Sequence, residues 1–475
     1  MFINKSAKSK KLKNNILALS SVAVKAKKAD SSVINATTGM LKSEDGTLYE
    51  FNSVAEVIKT LSIAKKFAYS NSIGSPNYTK AILYAVFGKY LEEIQKTCFL
   101  SAIATPGGSG GLNLAFTNYV SPNETVLLPN HMWENYLNYG VEIGFNTDTY
   151  QLFDDNDRFD IKDLNDKVNK VKETQKRVLI LINDPCQNPT GFCMQDEDYD
   201  KLIDIARNNP DTNFIYLMDV AYFDFYNANP DIIRSRYAKF KDMPSNALAL
   251  FVFSGSKSFG LYGLRIGGLI ALSKDKDEIT YFEDASSFSC RAKWSCSSTL
   301  GMSIIEKLVL NDEYRISYEK EVKYVYDMLE KRSIAFLESA KEVGLKTLPY
   351  ERGFFICVPV DNPEEVMNAL HEDKAYVICT KSALRIALCG INKEEAARLP
   401  KLIKNRLDLI KKWCKIKLPK VESQRSTTAH SIEWIPAIRE TRLSRLVIKN
   451  YMSEVENQCT TTTHSERDGC SDPEC

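Results

Sequence analysis

Three short stretches carry residue types that do chemistry when a fold brings them together. The first is Ser254-Gly255-Ser256-Lys257, directly after the apolar run at 248–253. A lysine at the carboxyl end of a buried strand, among small residues, sits where desolvation lowers its pKa and frees its amine as a nucleophile. Standing alone, it reads equally well as a solvated surface lysine. The Lys-Thr-Gly partner of Ser-x-x-Lys hydrolases is absent, because each Lys-Thr pair continues with another residue: Leu61, Cys98 or Leu348. The second stretch is Pro106-Gly107-Gly108-Ser109-Gly110-Gly111, between the apolar run at 99–104 and a helix-like stretch at 112–116. A strand, a glycine turn and a helix start aim backbone N–H groups and a positive dipole end at one point, which suits a phosphate. An ordinary flexible turn is the plain alternative, and the motif lacks both the P-loop ending and the spacing of the dinucleotide fingerprint.

The third stretch is Asp219-Val220-Ala221-Tyr222, after the run at 214–218. An acid at a strand end can simply cap the next helix. Beside Lys257 and a phosphate turn it has a sharper use, holding a protonated pyridine nitrogen as pyridoxal phosphate chemistry requires.

These residues need a scaffold whose strand ends converge. Strand-sized apolar runs at 99–104, 125–128, 177–182, 214–218, 248–253 and 266–271 alternate with polar or helix-like segments. Such alternation implies crossover connections and a mainly parallel sheet flanked by helices, which binds ligands at the strand carboxyl ends. Residues 301–337 read as a long connecting helix or helix pair. Runs at 354–360, 375–379 and 384–388, closed by a helix at 393–413, read as a smaller α+β domain.

Composition narrows the function. The chain has 475 residues, enough for two or three domains, and its 62 basic residues nearly cancel 61 acidic ones to leave +1. No global field exists to hold nucleic acid or an anionic membrane, so small-molecule work is favoured. No apolar stretch reaches the roughly eighteen residues of a membrane span. Twelve cysteines without a C-x-x-C pair, and four scattered histidines, predict no metal site and reduced thiols in a cytoplasmic protein. The first 29 residues hold eight lysines, no acid and no arginine. They can be read as a targeting segment or a basic arm, although the absence of arginine weakens the targeting reading; Ile16, Leu17, Leu19, Val22 and Val24 favour a short apolar pattern packed on the body.

The ordered set GGSGG at Gly107, Trp133, NPTG at Asn188, DVAY at Asp219, SGSK ending at Lys257, LYGLR ending at Arg265 and Arg385 in LRIALCG resembles the class I pyridoxal-phosphate aminotransferases. The resemblance spans about 15–418, and is nearest to the aspartate and aromatic amino acid subgroup through Ile16-Leu17-Ala18-Leu19 and the 39–46 loop. It implies an arm with part of the small domain at 1–46, a cofactor domain at 47–310 and a small domain at 311–418; beyond that the pattern decays into Ser, Thr, Glu and Arg, which reads as a disordered tail at 419–475. It implies pyridoxal 5′-phosphate held by Lys257, which would also carry the proton at the substrate Cα. Asp219 would pair with the ring nitrogen, Asn188 and Tyr222 with the ring's 3-oxygen, and Trp133 would stack on the ring. The phosphate would rest on Gly108, Ser109, Ser254 and Arg265, with Tyr69 reaching in from a second subunit of a homodimer. Gly39 would line the substrate site, Arg385 would clamp the α-carboxylate, and Arg291, thirty-four residues after Lys257, would meet a distal carboxylate.

Four departures stand out: Ser295-Cys296-Ser297-Ser298 replaces the usual Asn-Pro-Pro, Gln187 and Tyr136 replace histidines near Asp219, and Gly107 replaces a serine. The implied reaction moves an amino group from aspartate or an aromatic amino acid to a 2-oxo acid such as 2-oxoglutarate. A lyase or cyclase on the same scaffold, or a catalytically inactive binding protein, are the alternatives.

Overall fold

Aliphatic runs long enough to be covered on both faces build the central sheet. The computed structural model describes residues 2–8, 10, 11 and 16–416. Its seven-stranded sheet comprises β1 (Phe99–Thr105), β2 (Thr125–Pro129), β3 (Asn146–Tyr150), β4 (Arg177–Asn183), β5 (Asn213–Asp219), β6 (Ala247–Ser254) and β7 (Gly267–Ser273). The spatial order is β1-β7-β6-β5-β4-β2-β3. Every residue of β6 and β7 is buried, as expected for strands sandwiched between helical layers. All neighbours run parallel except β7, which is antiparallel to both β1 and β6.

That reversal positions the site. The ends of β1, β4, β5 and β6 share one edge, with Asn183 in register with Asp219. Because β7 runs the other way, its first residue, Gly267, lies opposite both Thr105 and Ser254. Arg265, two residues before β7, is thereby delivered to the edge where Lys257 follows β6.

Six of the seven strands match the expected apolar runs to within two residues at either end. The exception is β3, whose sequence NTDTY contains no apolar run; it is an edge strand with only Tyr150 buried. The anticipated helical stretch at 301–337 is a pair, α4 (Thr299–Leu310) and α5 (Asp312–Glu342), preceded along the chain by α1 (Ile16–Ala29), α2 (Gly107–Tyr119) and α3 (Lys276–Lys293). A smaller antiparallel sheet holds β8 (Phe355–Pro359), β9 (Ile378–Cys379) and β10 (Ala383–Ala387), with β10 in the middle. The strand expected at 375–379 is split. Ala375–Tyr376 pairs in parallel with Ile34–Asn35, whereas β9 pairs with β10. Helix α6 (Lys393–Ile416) continues through Pro400.

The N-terminal apolar pattern is corrected: in α1 it is Ser20 and Ala23 that are buried, while Val22 and Val24 are 52% and 40% exposed. Small residues allow close packing on that face, and the valines turn outward. The tail expected at 419–475 lies outside the described residues.

One buried charge ties these parts together. Arg332 on α5 is fully buried. It donates from Nη2 to Lys42 O at 2.8 Å, from Nη1 to Cys389 O at 3.1 Å and from Nε to Glu44 Oε1 at 2.8 Å. It therefore joins the 42–44 loop to the segment just past β10. Arg332→Met would leave Lys42 O and the Glu44 carboxylate without the guanidinium, a loss of about 3 kcal/mol, at the low end for a buried pair because Glu44 is half exposed. Urea unfolding should show this as a lower midpoint at unchanged slope.

Candidate functional site

The all-buried strand β6 runs straight into the short helix Gly255–Ser258, and Lys257 is its third residue. The Lys257 ammonium donates to Gly39 O at 2.6 Å and lies 5.1 to 5.8 Å from the rings of Tyr262, Tyr222 and Phe354. Burial pushes its pKa down to about 8, assisted by the charges of Arg385 and Arg265 and opposed by Cys389 and Asp219. At pH 7 about one lysine in ten is then a free amine, against about one in three thousand at an ordinary pKa. The strand-end position thus places a partly deprotonated amine at the sheet edge.

Asp219 closes β5. Tyr136 donates its hydroxyl to Asp219 Oδ2 at 2.6 Å, and the Ala221 amide reaches Oδ1 at 3.2 Å. Burial raises the carboxyl pKa; the Tyr136 hydrogen bond, the Ala221 amide and Lys257 hold it back. Tyr136, one of the two departures near Asp219, is thus a direct partner of the carboxylate. Gln187 is not: its amide donates to His131 O at 2.6 Å and its carbonyl oxygen accepts from Thr190, so it shapes the loop after β4. Asn183 supports the carboxylate's strand from the side, donating to Asp219 O at 2.8 Å.

A test follows from the sign of that shift. A hydrogen bond to the ionised carboxylate lowers its pKa, so Tyr136→Phe removes a lowering influence and Asp219 binds its proton at higher pH. The acid limb of the kcat/KM profile should move up by about one pH unit, with the basic limb unchanged. An unmoved acid limb would show that ionisation of Asp219 does not limit the reaction.

Helix α2 starts at Gly107, inside the glycine run, several residues earlier than the 112–116 stretch suggested. Its first-turn N–H groups have no intrahelical acceptor and point at the sheet edge. Gly107 has φ +72°, which strains any other residue, and a Cβ there would lie 2.6 Å from Arg265 Nη2 and push the guanidinium aside. A Cβ on Gly108 would stand 3.3 Å from Ser254 Cβ. Arg265 is held by Ser256 Oγ at 3.0 Å and Tyr262 O at 3.3 Å, and Tyr139 donates to Ser109 O at 3.1 Å. Gly108, Ser109, Ser254 and Arg265 thus form one cradle with backbone donors and a cation.

Asn188 is 8% exposed; its amide donates to Asn183 Oδ1 at 2.7 Å and its side-chain Oδ1 is buried without a partner. Tyr222 is buried, with its ring 5.3 Å from Phe354 and 5.9 Å, edge-on, from Phe355. Trp133 meets Tyr136 edge to face at 5.5 Å. Arg385, on β10, is 8% exposed, lies 4.7 Å over the Phe355 ring and donates from Nη2 to Thr37 O at 3.0 Å. Its Nε has no partner. Gly39 packs so closely that a Cβ there would fall 2.6 Å from Phe355.

Two of the anticipated residues are not gathered by the single chain. Tyr69 is 94% exposed, and Arg291 is exposed on α3, bonded to Ser295 Oγ at 2.6 Å. Other residues were not singled out in advance. Tyr262 accepts from the Leu41 amide at 2.9 Å beside Lys257, and its signal was its place in LYGLR. Phe354 and Phe355 wall the site from β8 and its approach, and nothing in their types distinguishes them from core aromatics. No helix of the described residues is long and apolar enough to cross a membrane.

Comparison with known proteins agrees with this geometry. Residues 31–403 match the family model described as aminotransferase class I and II. The chain is 25% identical over 384 residues to the aspartate aminotransferase of Pseudomonas aeruginosa, covering 78% of this chain and 92% of that one. It is 26% identical over 383 residues to the aromatic-amino-acid aminotransferase of Escherichia coli, with the same two coverages. The crystal structure of an aminotransferase from Anaerococcus prevotii superposes with a TM-score of 0.81 at 28% identity, covering 85% of this chain and 99% of that one.

Proposed function

The chain belongs to aminotransferase class I and II, and from that premise we propose that it moves the amino group of aspartate or an aromatic amino acid to 2-oxoglutarate with pyridoxal 5′-phosphate. It is an enzyme of amino-acid transamination. The observation that carries this reading is the buried Lys257 at the same sheet edge as the Asp219 carboxylate and the α2 N-terminus, within reach of the charge of Arg385 from the smaller sheet.

The residues fit the cofactor. The cradle of Gly108, Ser109, Ser254 and Arg265 suits a phosphate, and the orphaned Oδ1 of Asn188 suits a hydroxyl of a ring. When bound, pyridoxal phosphate supplies an aldehyde that takes up the amine and a ring that spreads the charge left at Cα. Lys257 holds the cofactor and moves the proton at the substrate Cα. Asp219, steadied by Tyr136, keeps a proton on the ring nitrogen. Tyr222 and Asn188 orient the 3-oxygen, and Trp133 covers the ring. Arg385 forks the α-carboxylate, a geometry a lysine cannot match. In this reading 47–310 is the cofactor domain, and 311–418 with the 1–46 segment forms the small domain. The protein works in the cytoplasm as a homodimer in which the exposed Tyr69 and Arg291 serve the neighbouring site.

A panel of amino donors with 2-oxoglutarate, read by oxo-acid product, tests the reaction. Product release without glutamate formation would replace transamination by another reaction of the same site. Arg291→Ala adds the substrate test. If Arg291 of one subunit pairs a distal carboxylate, dicarboxylic donors should lose at least about thirtyfold in kcat/KM, while aromatic donors change by less than about fivefold. Equal losses would make Arg291 a structural residue.

A further inference from the structure

Behind the lysine-bearing turn lies a separate cleft of about 450 Å³, floored by Phe223, Asp224 and Phe259 and walled by Tyr84 and by Tyr318 and Val322 of α5. That volume suits a small organic ligand. Its floor is made of the residues that directly follow two members of the site described above, since Phe223 and Asp224 come after Tyr222, and Phe259 comes two positions after Lys257. Tyr318 and Phe259 stack at 4.6 Å, giving the cleft a fixed aromatic wall.

The charges lining the cleft are matched in all cases but one. Lys89 and Arg234 pair with Asp231 at 2.8 and 3.6 Å, Arg315 pairs with Asp312 at 2.6 Å and with Glu319 at 3.9 Å, and Lys323 pairs with Asp327 at 3.0 Å. Arg234 is further occupied by Ala85 O, which accepts from its Nε and Nη2. Asp224 alone has no ion-pair partner among the described residues. The Tyr318 hydroxyl lies 3.4 Å from its Oδ2, but that single proton is better placed for Ser258 O at 2.9 Å. Burial raises the Asp224 pKa, and the Ser258 hydroxyl, Arg234 and Tyr318 offset this only in part. A half-buried carboxylate with no ion-pair partner, facing aromatic walls, is completed by an ammonium carried on a flat apolar body.

We propose that this cleft is a second ligand site, for a primary ammonium borne on an aromatic ring, anchored by Asp224 and enclosed by Tyr84, Phe259 and Tyr318. A ligand seated there touches the back of the segments that hold Lys257 and Tyr222, so occupancy bears directly on the catalytic turn.

Calorimetric titration of the purified holoenzyme with tyramine is the test, because tyramine lacks the carboxylate that Arg385 would recognise. Saturable binding of one tyramine per chain is expected, with Kd of about 1 mM or tighter. The uncharged 4-ethylphenol should bind at least about tenfold more weakly, as should tyramine to Asp224→Asn, which removes the anchor, and to Val322→Trp, which fills the cleft. Both variants should keep the parent's thermal midpoint and transamination rate. Tyramine binding that is unchanged in Asp224→Asn, equal affinity for 4-ethylphenol, or no saturation below about 10 mM overturns the proposal. Tighter binding of 3-(4-hydroxyphenyl)propionate than of tyramine overturns it too, by making the arginines the anchor. If Val322→Trp fails to fold, the Asp224→Asn titration and the 4-ethylphenol comparison decide alone.

Discussion

Lys257→Ala should lose about 8 kcal/mol of transition-state stabilisation, close to six decades in rate, for every amino donor alike. The size of the loss follows from the absence of a substitute. Lys257 is the amine at the end of β6, its pKa is already brought to about 8 by burial, and the groups around it are cations locked elsewhere, aromatic rings, the Asp219 carboxylate and the Cys389 thiol, which burial pushes up to about 11. Arg265 is tied to Ser256 and Tyr262, and Arg385 stays protonated at any working pH. Single-turnover assays of the variant should show substrate binding largely kept and the proton-transfer step lost. Borohydride reduction of the parent enzyme with pyridoxal phosphate should fix the label on Lys257. Recovery of the label on another lysine would remove the assignment.

The same substitution has a stability signature of opposite sign. A lysine whose folded pKa of about 8 lies below its ordinary 10.5 penalises the fold while protonated. That penalty is full below pH 8 and disappears as pH rises from 8 to 10.5, where the unfolded chain binds more protons than the native one. Cofactor-free Lys257→Ala should therefore be more stable than the parent at neutral pH and lose that advantage in the alkaline window. An enzyme that loses activity while gaining stability identifies a residue held for chemistry.

What the sequence revealed, and what it hid, divides along physical lines. Strands covered on both faces must be apolar at every position, so β4, β5, β6 and β7 stand out as unbroken runs, and the chemistry at their ends is legible with them. An edge strand has no such obligation; β3 is written NTDTY and carries no apolar run. Glycine disfavours helix interiors, so the run at 107–111 reads as a turn, yet it forms the first turn of α2, with Arg265 lying close against Gly107. The partners of Arg332 are 288 and more residues away at Glu44 and Lys42, and a lone arginine in an amphipathic helix looks like a solvated one. Tyr136 was visible as a departure near Asp219, and its hydrogen bond gives that departure a purpose. Gln187, read the same way, turned out to serve the loop, because a side chain's direction is not written in its position.

Arg385→Met should cost about 5 kcal/mol in kcat/KM, between three and four decades, and should do so equally for aspartate and aromatic donors, since every amino acid presents an α-carboxylate. The guanidinium is prepared for an anion. Burial strips its water and presses its pKa down, the Phe355 ring lies 4.7 Å beneath it, and only Nη2 is used, by Thr37 O. The unpartnered Nε marks the unspent capacity. Removing it leaves an incoming carboxylate in the same dry place with no counter-charge, which is where the loss arises. Arg385→Lys should recover little, because one compact ammonium cannot make two parallel hydrogen bonds. Stability separates this arginine from Arg332. A buried cation with an unsatisfied N–H does not hold a fold together, and an apolar side chain of similar length in its place is neutral or stabilising. Arg385→Met should thus unfold at the parent's urea midpoint or above, whereas Arg332→Met unfolds below it. A midpoint that falls together with activity would make Arg385 part of the scaffold and leave the carboxylate clamp to be sought among other residues of the cleft.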